Sequence, residues 1–303
     1  MSIVVVGTVA FDSIEAPWGR VERVIGGSAT YFSLAARFFT PVKLVAVVGK
    51  DFGPDYRSIL IDKNVDLEGL IIDGSGKTFF WEGRYGEDPN DRENIVTELN
   101  VFERFRPRLA PSHRSSRWLF LANMDPEIQA AVLDQVEGRP FTGLDTQTFW
   151  IERKYDAVRR ILGRADVLFV NDREARELSH ERNLVRAARA ILEMGPQVLV
   201  LKKGEHGAFL FTKEFRFFAP AYPLHEVVDP TGAGDSFAGG FMGYLASAPT
   251  VDKRHLCRAM IYGTITGSFA CESFSVERLR NVTESHIATR FGELVDLVRI
   301  DMD

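Results

Sequence analysis

Five short apolar runs recur along the chain, at 3–6, 44–48, 118–121, 167–170 and 198–201. Each is continuous rather than alternating and rich in Val, Ile and Leu, the pattern of strands buried on both faces. Between them the spacing of apolar positions predicts helices over 28–39, 54–63, 126–137, 155–162 and 183–193. Strand and helix in alternation predict an α/β fold with a mostly parallel central sheet sandwiched by helices. Open sheets of this kind gather ligands beyond the carboxyl ends of their strands. The polar residues just past the runs are therefore the first functional candidates: Asp12, Asn123, Asp145, Asn171 and Lys202.

One region departs from the alternation. From 69 to 102 strand-like segments follow one another without a helix, with 78–85 and 95–102 flanking a polar turn around 88–91. This predicts an antiparallel excursion from the main sheet, suited to a small β lid, although an ordinary hairpin has the same pattern. Phe79, Trp81 and Tyr85 alternate onto one face, as the lid's own core or as a surface for a sugar ring or base. A lid that excludes water would protect a transfer reaction from hydrolysis.

The stretch 227–237 reads as an extended segment, a glycine turn and a helix start. Gly232-Ala233-Gly234 would leave backbone N–H groups at the positive end of that helix, a setting that favours an anion. Asp235 stands at the same end, where a carboxylate can take a proton from a hydroxyl attacking the anion. A plain strand-to-helix turn is the alternative. Ser236, Gly240, Gly243 and Ser247 form a small-residue stripe, and Ala259, Gly263 and Gly267 form a matching one. Glycines at 239, 240 and 243 cost roughly 3 kcal/mol of helix propensity against alanine, so close helix packing is expected there.

Charge and composition narrow the function classes. The 303 residues carry a formal net charge of −5 with no long basic run, which argues against nucleic acid or an anionic membrane as partner. No apolar run is long enough to span a membrane, no leader-like basic start precedes 2–10, and two cysteines make no disulfide framework. A cytoplasmic location is expected. Gly74-Ser75-Gly76-Lys77-Thr78 looks like the end of a P-loop, but Ile71 stands where the first glycine belongs and a strand-like run follows. The pair Gly232/Gly234 fails as a dinucleotide fingerprint because Phe237 replaces the third glycine.

Asp229-Pro230-Thr231-Gly232-Ala233-Gly234-Asp235-Ser236-Phe237 resembles the C-terminal signature of the ribokinase-like (PfkB) carbohydrate kinase family. Asp12, then Gly26-Gly27 before a helix, resemble that family's N-terminal substrate elements. Asn171-Asp172-Arg173-Glu174 resembles its Asn-x-x-Glu motif, and Lys202-Lys203-Gly204-Glu205-His206-Gly207 its Gly-x-x-Gly turn near the nucleotide phosphates. The resemblance covers nearly the whole chain. It implies a three-layer α/β/α sandwich as one domain over 1–303, with a β lid mainly from about 69–102 and with 13–24 as a further contributor.

The resemblance also implies transfer of the γ-phosphoryl group of ATP, with Mg²⁺, to a hydroxyl of a sugar or nucleoside. Asp235 would be the general base and the amides of Gly232, Ala233 and Gly234 the anion hole. Asn171 and Glu174 would arrange the phosphates and Mg²⁺, Glu174 through water. Lys202, Gly204 and Gly207 would lie along the nucleotide, and Asp12, Gly26 and Gly27 would hold the acceptor. A monovalent cation such as K⁺ would sit near Asp229.

Two departures bear on the acceptor. Tyr31 stands where many sugar-binding members carry asparagine, so that sugar-hydroxyl contact is either missing or replaced by the phenol or its ring. After Asp145 the run Thr146-Gln147-Thr148-Phe149-Trp150 offers no basic residue, which disfavours a sugar phosphate. An uncharged sugar or polyol is the leading expectation, a nucleoside the next. A non-catalytic sugar- or nucleotide-binding protein on this fold is a third reading. Asp12, Asn171, Asp172, Glu174, Gly204 and Gly207 each also have an ordinary structural reading, as caps, surface charge or turns. An exposed lid strand could pair with a second copy, giving a homodimer.

Overall fold

The computed structural model describes residues 1–88 and 92–299. Part of the polar turn expected around 88–91 therefore lies outside the described residues. The strands are β1 (Ile3–Val6), β2 (Ala10–Ala16), β3 (Gly19–Gly26), β4 (Val42–Gly49), β5 (Val65–Asp73), β6 (Phe79–Tyr85) and β7 (Arg92–Glu98). They continue with β8 (Trp118–Leu121), β9 (Phe141–Asp145), β10 (Val167–Asn171), β11 (Val198–Lys202), β12 (Ala208–Phe211) and β13 (Arg216–Ala219). Nine form one sheet in the order β13-β12-β11-β10-β9-β8-β1-β4-β5. Its seven strands from β11 to β5 pair in parallel, and β12 and β13 extend it antiparallel.

The continuous apolar runs have a direct cause. Successive side chains of a strand point to opposite faces, and here both faces are covered. Ile3, Val5, Phe120, Phe169 and Val200 join one core cluster, which takes in Phe32, Leu34, Phe241, Leu245 and Met260. Val4, Val6, Leu119, Leu121, Leu168, Val170, Leu199 and Leu201 join the other, with Ile128, Val132, Val158, Ile161 and Ile191. Fully burying each such aliphatic side chain stabilises the fold by about 1.5–3 kcal/mol. The expected helices are present, several of them shorter. The first spans Ser28–Ala36 rather than 28–39, since Pro41 follows closely and biases the chain at Thr40 toward extended backbone.

The helix Ala233–Ser247 lies between two neighbours, and its glycines are divided between them. A Cβ on Gly240 would strike Thr266 and the Tyr262 carbonyl of the helix Lys253–Ala270. A Cβ on Gly243 would instead approach Ala36 at 2.9 Å, and one on Gly239 would strike the Phe32 carbonyl. Close packing was expected, but the single stripe serving one partner was not the arrangement found. Gly240 turns to one helix, and Gly239 and Gly243 turn to the other.

The region that broke the pattern is also more elaborate than a simple excursion. Residues 69–73 belong to β5 at the edge of the main sheet, and 100–104 form a 3₁₀ turn. The small sheet has the order β3-β2-β6-β7, two antiparallel hairpins joined by a parallel β2–β6 pairing. Asp12 therefore sits inside this small sheet, opposite Val24 on one side and Trp81 on the other. Asp51 ties the hairpins together. It accepts from the Thr78 N–H at 2.8 Å and hydroxyl at 2.7 Å, and from the Arg23 guanidinium at 2.9 Å.

Candidate active site

The helix Ala233–Ser247 begins at the carboxyl ends of the central strands, and its cap is Gly232 at φ 75°. An L side chain rarely adopts that backbone, and a Cβ there would also run into the Tyr31 ring. Gly234 follows in the first turn, and a Cβ on it would lie 3.0 Å from the Lys202 ammonium. Of the three amides expected to face an anion, that of Ala233 already donates to the Pro230 carbonyl at 3.1 Å. That amide is thus used within the loop, while Gly232 and Gly234 stand at the positive helix end.

Asp235 occupies the first turn of the same helix. Its charge acts on both the Lys202 ammonium and the Tyr31 phenol. Tyr31 is 1% exposed, and its hydroxyl has no hydrogen-bond partner among the described residues. Burial, followed by the charges of Asp229 and Asp12, pushes its phenol well above the usual range. It is neutral and stays a donor at any physiological pH.

Asp12 is buried, and a Cβ on Gly26 would overlap its carboxylate. Gly27, at φ 95°, would carry a Cβ against the backbone of Thr8 and Ala10. These two glycines make room for Asp12 and for the entry into the Ser28–Ala36 helix. Asp229 is 1% exposed, and its two oxygens accept from the Thr231 N–H at 2.9 Å and the Ser275 N–H at 3.3 Å. It orders the loop that leads into the cradle.

On the other side of the cradle three neighbouring strand ends converge. Lys202, at the end of β11, reaches past the end of β10 to Asp145 of β9, with Nζ to Oδ2 at 3.1 Å. Asn171 and Glu174 form a reciprocal cap. Asn171 Oδ1 accepts from the Glu174 N–H at 2.8 Å, and Glu174 Oε2 accepts from the Asn171 N–H at 2.8 Å. The capping alternative for Asn171 is thus realised, and it aims Glu174 inward. Burial pushes the Glu174 carboxyl up to about 7, Lys202 partly offsetting it and Asp145 adding to it. Burial also lowers the affinity of Lys202 for its proton, but Asp145, Glu174 and Asp235 outweigh it and the net direction is upward.

Gly204 at φ 54° and Gly207 at φ 81° form the turn between β11 and the antiparallel β12. A Cβ on Gly207 would strike the Ala219 carbonyl, so the turn reading is realised for it. Asp172 pairs with Arg176 on the helix surface.

Trp18 was not singled out by sequence, and the contacts made by Tyr85 and Asp145 were not foreseen. Trp18 donates from Nε1 to the Val228 carbonyl at 2.7 Å, and Tyr85 Oη lies 2.8 Å from Thr231 Oγ1. Both link the small sheet to the loop before the cradle. Asp145 was a functional candidate from its strand end, but its partnership with Lys202 was invisible at 57 residues' separation. Asn123 keeps Oδ1 buried and without a partner among the described residues at the end of β8.

A family model described as "pfkB family carbohydrate kinase" matches residues 2–280. The chain belongs to the PfkB family. It is 31% identical over 257 residues to a cytidine kinase of Thermococcus kodakarensis, covering 82% of this chain and 90% of that protein. Its fold matches the nucleoside kinase of Methanocaldococcus jannaschii, called an archaeal member of the ribokinase family, with TM-score 0.77 and 20% identity. That match covers 96% of this chain and 98% of the other. Aminoimidazole riboside kinase of Salmonella enterica, solved with aminoimidazole riboside and an ATP analogue, matches with TM-score 0.74 and 20% identity over 96% and 100% of the chains.

The fold is therefore ribokinase-like, and this PfkB member is a phosphotransferase that acts on a hydroxyl of a small molecule. The family uses ATP with Mg²⁺. No helix among the described residues is long and apolar enough to cross a membrane.

Proposed function

We propose that the chain phosphorylates a nucleoside, with Asp235 as the general base. The observation that carries the chemistry is the position of Asp235 in the first turn of a helix, next in sequence to Gly234, a Cβ on which would lie 3.0 Å from the Lys202 ammonium. Nucleoside is preferred over the uncharged sugar or polyol because the cytidine kinase relative spans 90% of its own length on this chain. Asp12 supplies a carboxylate for the acceptor's hydroxyls, while Trp81 packs with Ile14, Ala16 and Tyr85 in the small sheet's own core.

The residues present fit a nucleoside triphosphate. Gly234, with no Cβ, lets phosphate oxygens approach the backbone beside the Lys202 ammonium, and the positive helix end adds to the attraction. Bound Mg²⁺ would neutralise phosphate charge there, with Glu174 as its water-mediated holder. Asp235 takes the proton of the acceptor hydroxyl as that oxygen bonds to phosphorus, and the cradle accepts the charge that develops. A positioned base contributes typically 10²–10⁴-fold, and each well-aimed donor about 3–4 kcal/mol.

The four-stranded sheet acts in this reading as a lid, a part of the same single domain. Its edge strand β7, with Ile95 exposed, is the surface on which a second copy would pair, and sedimentation of the purified protein tests the dimer. A monovalent cation near Asp229 is tested by comparing K⁺ with Na⁺ in the assay. A cytoplasmic location agrees with two free cysteines, Cys257 and Cys271.

The deciding experiment is ADP release with Mg²⁺-ATP across cytidine, other nucleosides, ribose, fructose and polyols. Turnover of nucleosides at least tenfold more efficient than of sugars is expected. Turnover confined to sugars or polyols overturns the nucleoside assignment.

A further inference from the structure

Lys202 is placed in an electrostatically costly position. Its ammonium stands 3.0 Å from where a Cβ of Gly234 would be, at the positive end of the Ala233–Ser247 helix. Its side chain is 19% exposed. Neither the helix end nor burial favours a cation there. What holds it is Asp145, whose side chain is 8% exposed, at 3.1 Å across the end of the intervening strand. The backbone of Asp145 is itself fixed, its carbonyl accepting from Gln129 Nε2 at 3.0 Å while the same amide group donates to the Ala122 carbonyl at 2.9 Å.

A buried ion pair kept only for stability has no reason to stand at an anion cradle. Replacing such pairs by apolar residues is often neutral or stabilising. Here the pair brings a cation to the one place where a transferred phosphoryl group would be shared between Gly232, Gly234 and Asp235. We propose that Asp145 is a positioning residue that holds the Lys202 ammonium over the cradle, where the ammonium contacts the phosphoryl group during transfer. The inference rests on the proposed phosphoryl site and is independent of which acceptor is used.

The step keeps its balance without altering Lys202. The acceptor oxygen bonds to the γ-phosphorus as the bond to the bridging oxygen breaks. The bridging oxygen leaves with that electron pair on ADP, and the acceptor proton passes to Asp235. Lys202 stays protonated and neutralises equatorial oxygen charge. As the phosphoryl group arrives it competes with Asp145 for the ammonium, so the carboxylate sets where the ammonium waits.

The test uses Lys202→Met, Asp145→Asn and the double variant of the full chain, with two readouts. One is kcat with the best acceptor. The other is calorimetric affinity for ADP alone and for ADP with aluminium fluoride, which needs no acceptor to turn over. Lys202→Met is expected to lower kcat at least 100-fold and to lose at least 30-fold in affinity for ADP–aluminium fluoride, with ADP affinity within threefold. Asp145→Asn is expected to lower kcat about tenfold, and the double variant to be no worse than Lys202→Met, since Asp145 acts through Lys202.

Additive losses in the double variant would overturn the positioning role. Unchanged ADP–aluminium fluoride affinity in Lys202→Met would overturn the contact. If the pair were structural only, melting temperature would fall in the single variants while both readouts stayed near wild type. A wild type that binds ADP–aluminium fluoride but turns over no nucleoside would sink the acceptor assignment and leave this inference standing.

Discussion

The helix start at 232–235 and the small sheet that touches the loop before it are held in opposite ways. The helix start and the turns behind it are backbone packed on backbone and ring: Gly232 on Tyr31, Gly239 on the Phe32 carbonyl, Gly240 on the Tyr262 carbonyl. The small sheet meets the loop before the cradle through two polar contacts, Trp18 to Val228 and Tyr85 to Thr231. A close-packed helix end has no room to relax, which suits atoms that must be placed within a fraction of an ångström. Hydrogen bonds at a sheet edge are worth about 0.5–1.5 kcal/mol each, weak enough to break and re-form as an acceptor enters. Chemistry should therefore respond to changes in the first region and acceptor affinity to changes in the second.

The largest expected effect tests the first half. Asp235→Asn should lower kcat at least 10²-fold with nucleotide affinity near wild type, measured by ADP release and calorimetry. Wild-type turnover in that variant would remove Asp235 as the base. Next, Gly232→Ala should cost about 10-fold or more in kcat. The φ of 75° and the Tyr31 ring both oppose a Cβ, a strain on the order of 1–3 kcal/mol. An unshifted kcat there would mean that the cradle is looser than its packing implies.

The small sheet should break differently. Trp18→Phe with Tyr85→Phe is expected to raise the acceptor KM up to about 10-fold while kcat stays within about threefold. Equal losses in both would show that the two regions act as one unit. The smallest effect concerns Glu174. Its folded carboxyl titrates near 7 against a usual 4.5, so the folded state binds the extra proton between those values. Its contribution to stability is complete below about 4.5 and is lost as pH rises through 7. Glu174→Gln keeps an oxygen for the Asn171 amide and abolishes that loss. Its melting temperature should exceed wild type by a few degrees at pH 8, about 2 kcal/mol, and match it at pH 5. A gain at both pH values would assign the effect to something other than this carboxyl.

The two regions also differ in how they read from sequence. The 229–237 stretch was legible because its requirements are local: a φ of 75° needs glycine, and a helix start leaves amides within three residues. The small sheet was half legible. Phe79–Tyr85 read as a strand from its own residues. The parallel pairing of β2 with β6, and the placing of Asp12 within it, depend on Asp51 bridging hairpins that are distant in sequence. The glycines after Phe237 predicted close packing but not its direction, because period alone does not say which of two neighbours each residue meets.

The sequence by itself determined the fold class, the helix start and the acid beside it, since these follow from backbone requirements and apolar period within short windows. Tertiary structure alone decided that Asp229 meets the Ser275 amide and that Lys202 is held by Asp145. Those are contacts between positions up to 57 residues apart. They arise only when the sheet sets strand ends side by side and burial forces each charge to find a partner.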